Sequence, residues 1–465
     1  MKNLLRLLWI GVSPAVILGC TNGSTITSAP TPKRQTIHFA GSTLPSTLSA
    51  SYEIETGSHT LPNLSNDGSL QQCLVYGALQ SPKLEQSFHA WRAAILRVPQ
   101  VSALADPKVS FGYFIEEIQT RTGQMEQQLS LTQSFPWWGL LEAKGDVAAA
   151  AAQSKWHAYE MERLTLFEKI VKQWTSLVDL EQEIKVVEES YELLSEAERI
   201  ARRSYEVDKT RHDKLVRLQV ELGKLEDTIH KLRDLRGPRI ASLNATLSRE
   251  SAASFSLPKS ITLEISSITL EAATPLISNN PLVQAQDSTI REQEIALRVA
   301  KLDAKPKWTA GVTYTNLGDS IDPTIPDAGN SPLMGMVGFS IPINNSKYDA
   351  AKEEALAKQL AAIASKKAMV HDLNAAMAEA IYQRDDSIRR IEFYETALIP
   401  RAEDALSTAL VAFSAGKTQA IELLDSQRTL LELQRNLQRS YVAALIADAA
   451  ISRIVGGSII EETTE

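Results

Sequence analysis

The sequence predicts a mainly helical chain of long coiled-coil hairpins that carries a small β part of four strands. Three observations predict it. Short stretches alternate strictly between apolar and polar residues, the first sign of strands set among helices. Leucines recur at spacings of three and four over long segments, the pattern of coiled-coil packing. The chain also repeats itself, presenting each of these features twice in the same order.

The chain opens MKNLLRLLWIGVSPAVILGC. Lys2 and Arg6 precede an apolar stretch ending at Leu18, the order of a secretory signal segment and too short for a stable membrane span. Ile17-Leu18-Gly19-Cys20 resembles the bacterial lipobox, whose cysteine becomes a diacylated, palmitate-bearing anchor. Leu18 is bulkier than the usual residue there, and an ordinary signal peptide with a coincidental cysteine is the alternative. Thr21 stands where Asp would signal retention, so the resemblance implies sorting to the outer membrane. Loss of residues 1–19 would remove two positive charges and no acid. Cys73 is the only other cysteine, so no disulfide framework is expected, and it reads as a small half-buried hydrophobe. Residues 20–70, rich in Ser, Thr, Pro and Gly, read as a lipid-anchored tether.

The duplication begins with helix starts. SPKL at 81–84 pairs with NPLV at 280–283, each placing proline in a first helical turn. DPKVSFGYFI at 106–115 pairs with KPKWTAGVTY at 305–314, matching Pro107 with Pro306, Lys108 with Lys307 and Gly112 with Gly311. Val109, Phe111, Tyr113 and Ile115 alternate against Lys108, Ser110, Gly112 and Phe114; Trp308, Ala310, Val312 and Tyr314 do the same in the second copy. A second strand follows in each half, LSLTQSFPWWG at 129–139 and GMVGFSIPINN at 335–345, closed by Pro136 and Pro342. A short TRTGQ turn joins the first pair, and the longer 316–332 segment joins the second.

Roughly 65 residues of helical pattern come next in each half, about 100 Å of helix. A third match, YEVDKT (205–210) to FSAGKT (413–418), breaks each long helix before another begins. In the first half Leu215, Leu218, Leu222, Leu225, Ile229 and Leu232 form an unbroken stripe, echoed by Leu423, Leu430, Leu433 and Leu437. The expected organisation is a first repeat at 71–236, a linker at 237–279, a second repeat at 280–456 and a tail at 457–465.

Composition narrows the function classes. A net charge of −8 with no basic cluster argues against nucleic acid. No run of 18 apolar residues follows the signal segment, so any membrane contact must use strands. Strands of about ten residues with one apolar face suit a soluble half-buried sheet or a transmembrane barrel. Three features favour the barrel: flanking aromatics suited to membrane interfaces (Trp137, Trp138, Trp308, Tyr113, Tyr314), a second face of Ser, Thr and Gly, and the lipid-directed Cys20. Four strands cannot close a barrel, and an open edge is not tolerated in hydrocarbon, so several copies must combine.

At this point a family comes into view. The duplication, NPLV…AKPKWTAGVTYTN, IPINN and FSAGKTQAIELLDSQRTLLELQRNL together resemble the TolC-type outer-membrane factors of tripartite efflux and secretion systems, over residues 71–456. The resemblance implies a homotrimer with a 12-stranded β-barrel in the outer membrane and a helical barrel crossing the periplasm. It also implies docking to a periplasmic adaptor and an inner-membrane pump of the RND type. LTQSFPWWG and ASLNATLSRE lean toward the heavy-metal, CzcC/CusC-like branch.

In that family the segment after the break forms the periplasmic tip, where acids ring the pore. Aligned on Phe413 and Gly416, the ring residues are Glu422 and Asp425, cation-attracting if three copies surround an axis. Solvated helix-face charges are the plain alternative. Gly416, Lys417, Thr418, Asp208 and Lys209 are the expected adaptor-contact tip, with Asp208 standing where glycine is expected. Lys214 and Arg217 occupy the places matching the two acids and are candidate gate links, or simply surface charges. AGKT lacks the earlier glycine of a phosphate-binding loop, since position 411 is Val. The histidines form no metal-ligand spacing, so no metal, cofactor or catalytic site is expected.

The leading expectation is a passive exit duct in the outer membrane, of possible use for heavy-metal cations. Type I protein secretion or multidrug efflux are the alternatives within the channel class. A coiled-coil scaffold lipoprotein is the alternative in another class.

Overall fold

The computed structural model describes residues 61–207, 212–258, 265, 267–322 and 324–457. Cys20, Asp208, Lys209 and the signal segment lie outside them.

Two short helices, α1 (Leu70–Gln80) and α2 (Pro82–Ser102), lead to strands β1 (Lys108–Gln119) and β2 (Gln124–Phe135). Helix α3 (Leu140–Val207) then runs 68 residues without interruption, about 100 Å. Helix α4 (His212–Thr246) returns beside it. The second repeat opens with α5 (Leu270–Ala273), a 3-10 turn and α6 (Pro281–Asp303), then β3 (Lys307–Leu317) and β4 (Leu333–Ser340). Its long helix is divided: α7 (Asn345–Phe393) gives way to a π turn at Tyr394–Leu398, then α8 (Ile399–Ser414). Helix α9 (Ala420–Val455) closes the repeat.

Matching residues start matching helices. Ser81 caps α2 by accepting from the Leu84 N–H, Asn280 caps α6 by accepting from the Leu282 N–H, and each is followed by proline. Asn280, wholly buried, also donates to the carbonyls of Arg453 and Ile454, tying the start of the second repeat to its end.

Three sequence expectations need correction. The tether does not run to residue 70: Leu64 is buried, Gly68 and Ser256 pair through their backbones, and the Trp174 indole donates to the Gly68 carbonyl. Helix α4 passes through Pro238 to Thr246 rather than ending at 236, the expected repeat boundary. In α9 the buried line is Leu423, Leu424, Gln427 and Leu431, while Leu430, Leu433 and Leu437 are only half-buried, because α3, α4 and α8 cover a broader face than one seam.

The four strands form one antiparallel sheet in chain order, with β2–β3 joining the repeats. Its register places Phe111, Leu129, Tyr314 and Leu333 side by side, and Val109, Leu131 and Val312 in the next row on that face. These side chains are exposed; Phe111 keeps 65% of its surface and Leu333 71%. The opposite face carries Ser110, Ser130 and Thr313 in one row, with the Ser110 and Ser130 hydroxyls 2.7 Å apart. Strand β4 departs from the small-polar expectation by adding Met334 and Met336 to that face. At the helical end of the sheet Trp137, Trp138, Trp308 and Phe339 stack at centroid separations of 4.6–5.4 Å. Tyr314 lies six residues further along β3, about 20 Å away. Among the described residues no helix is long and apolar enough to cross a membrane.

Candidate functional site

The far end of the helices, where α3 gives way to α4 and α8 to α9, holds the predicted site. Its core is shared by both repeats: Leu194, Ala197 and Ala201 from α3, Leu215 and Leu218 from α4, Leu406 and Phe413 from α8, Leu423 and Leu424 from α9. A four-helix end of this kind buries the apolar stripes that the sequence displays.

The α8–α9 turn is built by a left-handed glycine. Gly416 has φ +71°, and the Gly416 and Lys417 N–H groups bond back to Phe413 and Ala412 at 3.0 and 2.9 Å. That is a glycine-terminated helix end, where a side chain would add strain. Gly416 and Lys417 are exposed and Thr418 half-buried, with its hydroxyl on the Glu422 carboxylate. Glu422 lies in the first turn of α9, where the helix N-terminus favours negative charge. Glu422 and Asp425 are both exposed on one helix face, three residues apart. A groove of about 480 Å³ between α8 and α9 is lined by Asp404, Thr408, Thr418, Glu422 and Ser426, with alanines between them.

Of the candidate links, Lys214 meets the tip turn rather than an acid. Its ammonium donates to the Thr418 carbonyl at 2.8 Å and lies 6.0 Å from the Phe413 ring centre. Arg217 is exposed and pairs with neither Glu422 nor Asp425.

Near this end a charged link across the repeats joins Glu221 of α4 to Arg428 of α9, and the sequence reading missed it. The guanidinium donates from Nε to Oε1 at 2.9 Å and from Nη2 to Oε2, a bidentate pair. Arg428 holds the Glu221 carboxyl below its ordinary range, against the opposing effect of burial. A signal was present: Glu221 is the acid directly beside Leu222 of the apolar stripe, and its match in the other repeat, Thr429, directly follows Arg428. Higher up, Glu198 of α3 takes bonds from Arg202 and from Gln219 of α4. The arginine on Glu198 holds its carboxyl below the usual range too. Further pairs staple α3 to α4 (Glu188–Arg233, Glu181–Arg236) and α3 to α9 (Glu183–Arg435, Glu168–Arg453). Among the described residues no group of three or more His, Cys, Asp or Glu is placed to hold a metal ion.

Comparison with known proteins agrees with this architecture. Residues 274–457 match the family described as outer membrane efflux protein, a family of channels rather than enzymes. No curated protein sequence matches. Among solved structures, CusC superposes with a TM-score of 0.72 at 13% identity, over 84% of this chain and 93% of that one. VceC of Vibrio cholerae gives 0.69 at 16%, over 86% and 100%. The outer membrane channel CmeC of Campylobacter jejuni gives 0.67 at 14%, over 90% and 93%. Identities this similar resolve no branch. Residues 274–457 thus resemble the outer membrane efflux protein family, and the described chain shares the fold of these outer-membrane channel structures.

Proposed function

We propose that this chain is the outer-membrane exit duct of a tripartite efflux system, a homotrimer working passively with a periplasmic adaptor and an inner-membrane RND pump. The observation that carries the reading is the sheet. Its apolar face lies open and its β1 and β4 edges are unpaired among the described residues, a combination untenable in hydrocarbon unless copies join edge to edge into a barrel. Three copies would supply twelve strands. The helices then extend the duct into the periplasm, Cys20 anchors it by lipid, and the Gly416–Thr418 turn, with Asp208 and Lys209, is the surface offered to the adaptor. Glu422 and Asp425 ring the pore and favour cations, with heavy-metal ions as the finer reading of the cargo.

Planar-bilayer recording tests this. The purified protein is expected to conduct and to prefer K⁺ over Cl⁻, and Glu422→Ala with Asp425→Ala is expected to reduce that preference several-fold. Absence of conductance from correctly assembled protein would return the scaffold reading.

A further inference from the structure

Strand β4 is apolar on both faces, and the two faces need different reasons. Leu333, Val337 and Phe339 lie on the face shared with Phe111 and Tyr314, which the channel reading turns to lipid. Met334 and Met336 lie on the other. Met334 continues the row of Thr313, Ser130 and Ser110, and Met336 the row of Gly311, Thr132 and Lys108. In a barrel that is the water-facing side, so lipid does not explain the methionines.

Packing does not explain them either. The chain has seven methionines, and among the described residues only these two are exposed. Met334 keeps 52% of its surface and Met336 43%, whereas Met377 is fully buried and Met125, Met161 and Met369 are half-buried. Gly338, next on that face, has no side chain to cover them. What the pair offers is thioether sulfur. Two positions apart on a strand, the Cα atoms stand about 7 Å apart on one face. The unbranched, flexible side chains let both sulfurs converge on one ion. Thioethers are neutral, soft ligands that select Cu(I) and its congener Ag(I), whereas Mg²⁺ and similar ions keep to oxygen and water. They differ in kind from His, Cys, Asp and Glu, of which no group of three or more is placed to hold a metal among the described residues.

We propose that Met334 and Met336 of each chain form a two-sulfur site on the pore wall for soft monovalent metal ions, Cu(I) and Ag(I). The proposal rests on the channel reading, since the polar face of the sheet is a lumen only in a closed barrel. It deepens that reading by naming the class of heavy metal that passes. Two neutral ligands hold a cation weakly, as a wall site must if the ion is also to leave. The β4 strands of neighbouring copies would lie four strands apart, about 19 Å along the wall, so each pair acts alone.

The test uses full-length assembled protein in nitrate buffer, with Ag⁺ as the probe and Zn²⁺ as the control. The comparison variant is Met334→Leu with Met336→Leu, which keeps the size and apolar character of both side chains. Equilibrium dialysis is expected to find about one Ag⁺ per chain more in the wild type than in the variant, and no difference for Zn²⁺. The Cys73 thiol is common to both and cancels. A second readout needs no substitution. In wild-type protein treated with a mild oxidant, Ag⁺ is expected to slow sulfoxide formation at Met334 and Met336 several-fold and to leave Met125 and Met161 unchanged. Bilayer conductance is recorded on the same preparations. Equal Ag⁺ uptake by wild type and variant, or no protection of the pair, with conductance intact, would overturn the site and leave the channel standing. Uptake lost in the variant, with no conductance in the wild type, would uphold the pair as a metal site and sink the channel around it.

Discussion

Glu221 and Arg428 show how one residue pair carries information about both repeats. The carboxylate is buried and the guanidinium half exposed, so removing the acid leaves an arginine that water can still reach. Glu221→Gln is expected to cost about 1.5–3 kcal/mol, the range for hydrogen bonds involving charged groups. Its pH dependence has a definite sign. A carboxyl held below its ordinary 4.5 adds stability that is complete above that value and is lost as pH falls through the lower folded one. Melting curves of wild type and variant should therefore differ at neutral pH and converge in acid; a gap that persists at low pH would refute the assignment. Trp174 is the other residue whose contribution is local and measurable. Trp174→Phe removes the bond to the Gly68 carbonyl, and the 61–69 segment should become cleavable in limited proteolysis while the long helices stay protected.

At the scale of elements, the sheet distinguishes two glycines that the duplication made equivalent. A Cβ on Gly311 would stand 2.8 Å from the Thr132 methyl and 3.1 Å from the Leu131 carbonyl, inside the β2–β3 pairing. On Gly112 the nearest atom would be 3.9 Å away. Gly311→Ala should therefore lower the melting temperature of the purified protein and Gly112→Ala should not. Sequence placed both glycines in the strands; only the strand order revealed which one has a close neighbour. The long helices tell a similar story. Their stripes were legible as heptads, yet the division of the second helix was not, since Pro400 alone does not say whether a helix ends, kinks or widens.

For the molecule as a whole, the exposed apolar face is the feature on which the proposed membrane assembly is tested. Lysine on that face should be costly near the middle of the bilayer, about 2–4 kcal/mol, whereas the same change on the opposite face meets water. Val312→Lys is thus expected to reduce outer-membrane incorporation sharply, and Ser110→Lys to leave incorporation intact while altering conductance. Equal incorporation of the two variants would contradict the orientation assigned to the sheet.

The sequence by itself determined the class of the fold, because periodicity and self-similarity are properties of residue order: alternation marks strands, three-four spacing marks coiled coil, and a doubled pattern marks two repeats. It also located the turn between α8 and α9, through Gly416. The tertiary structure decided the partners. Lys214 met a backbone carbonyl instead of an acid, Glu221 met Arg428, Leu64 and Gly68 were drawn out of the tether into the core, and Gln427 was left without a bond. Each of those outcomes depends on the relative rotation and height of helices far apart in sequence, which no local pattern encodes.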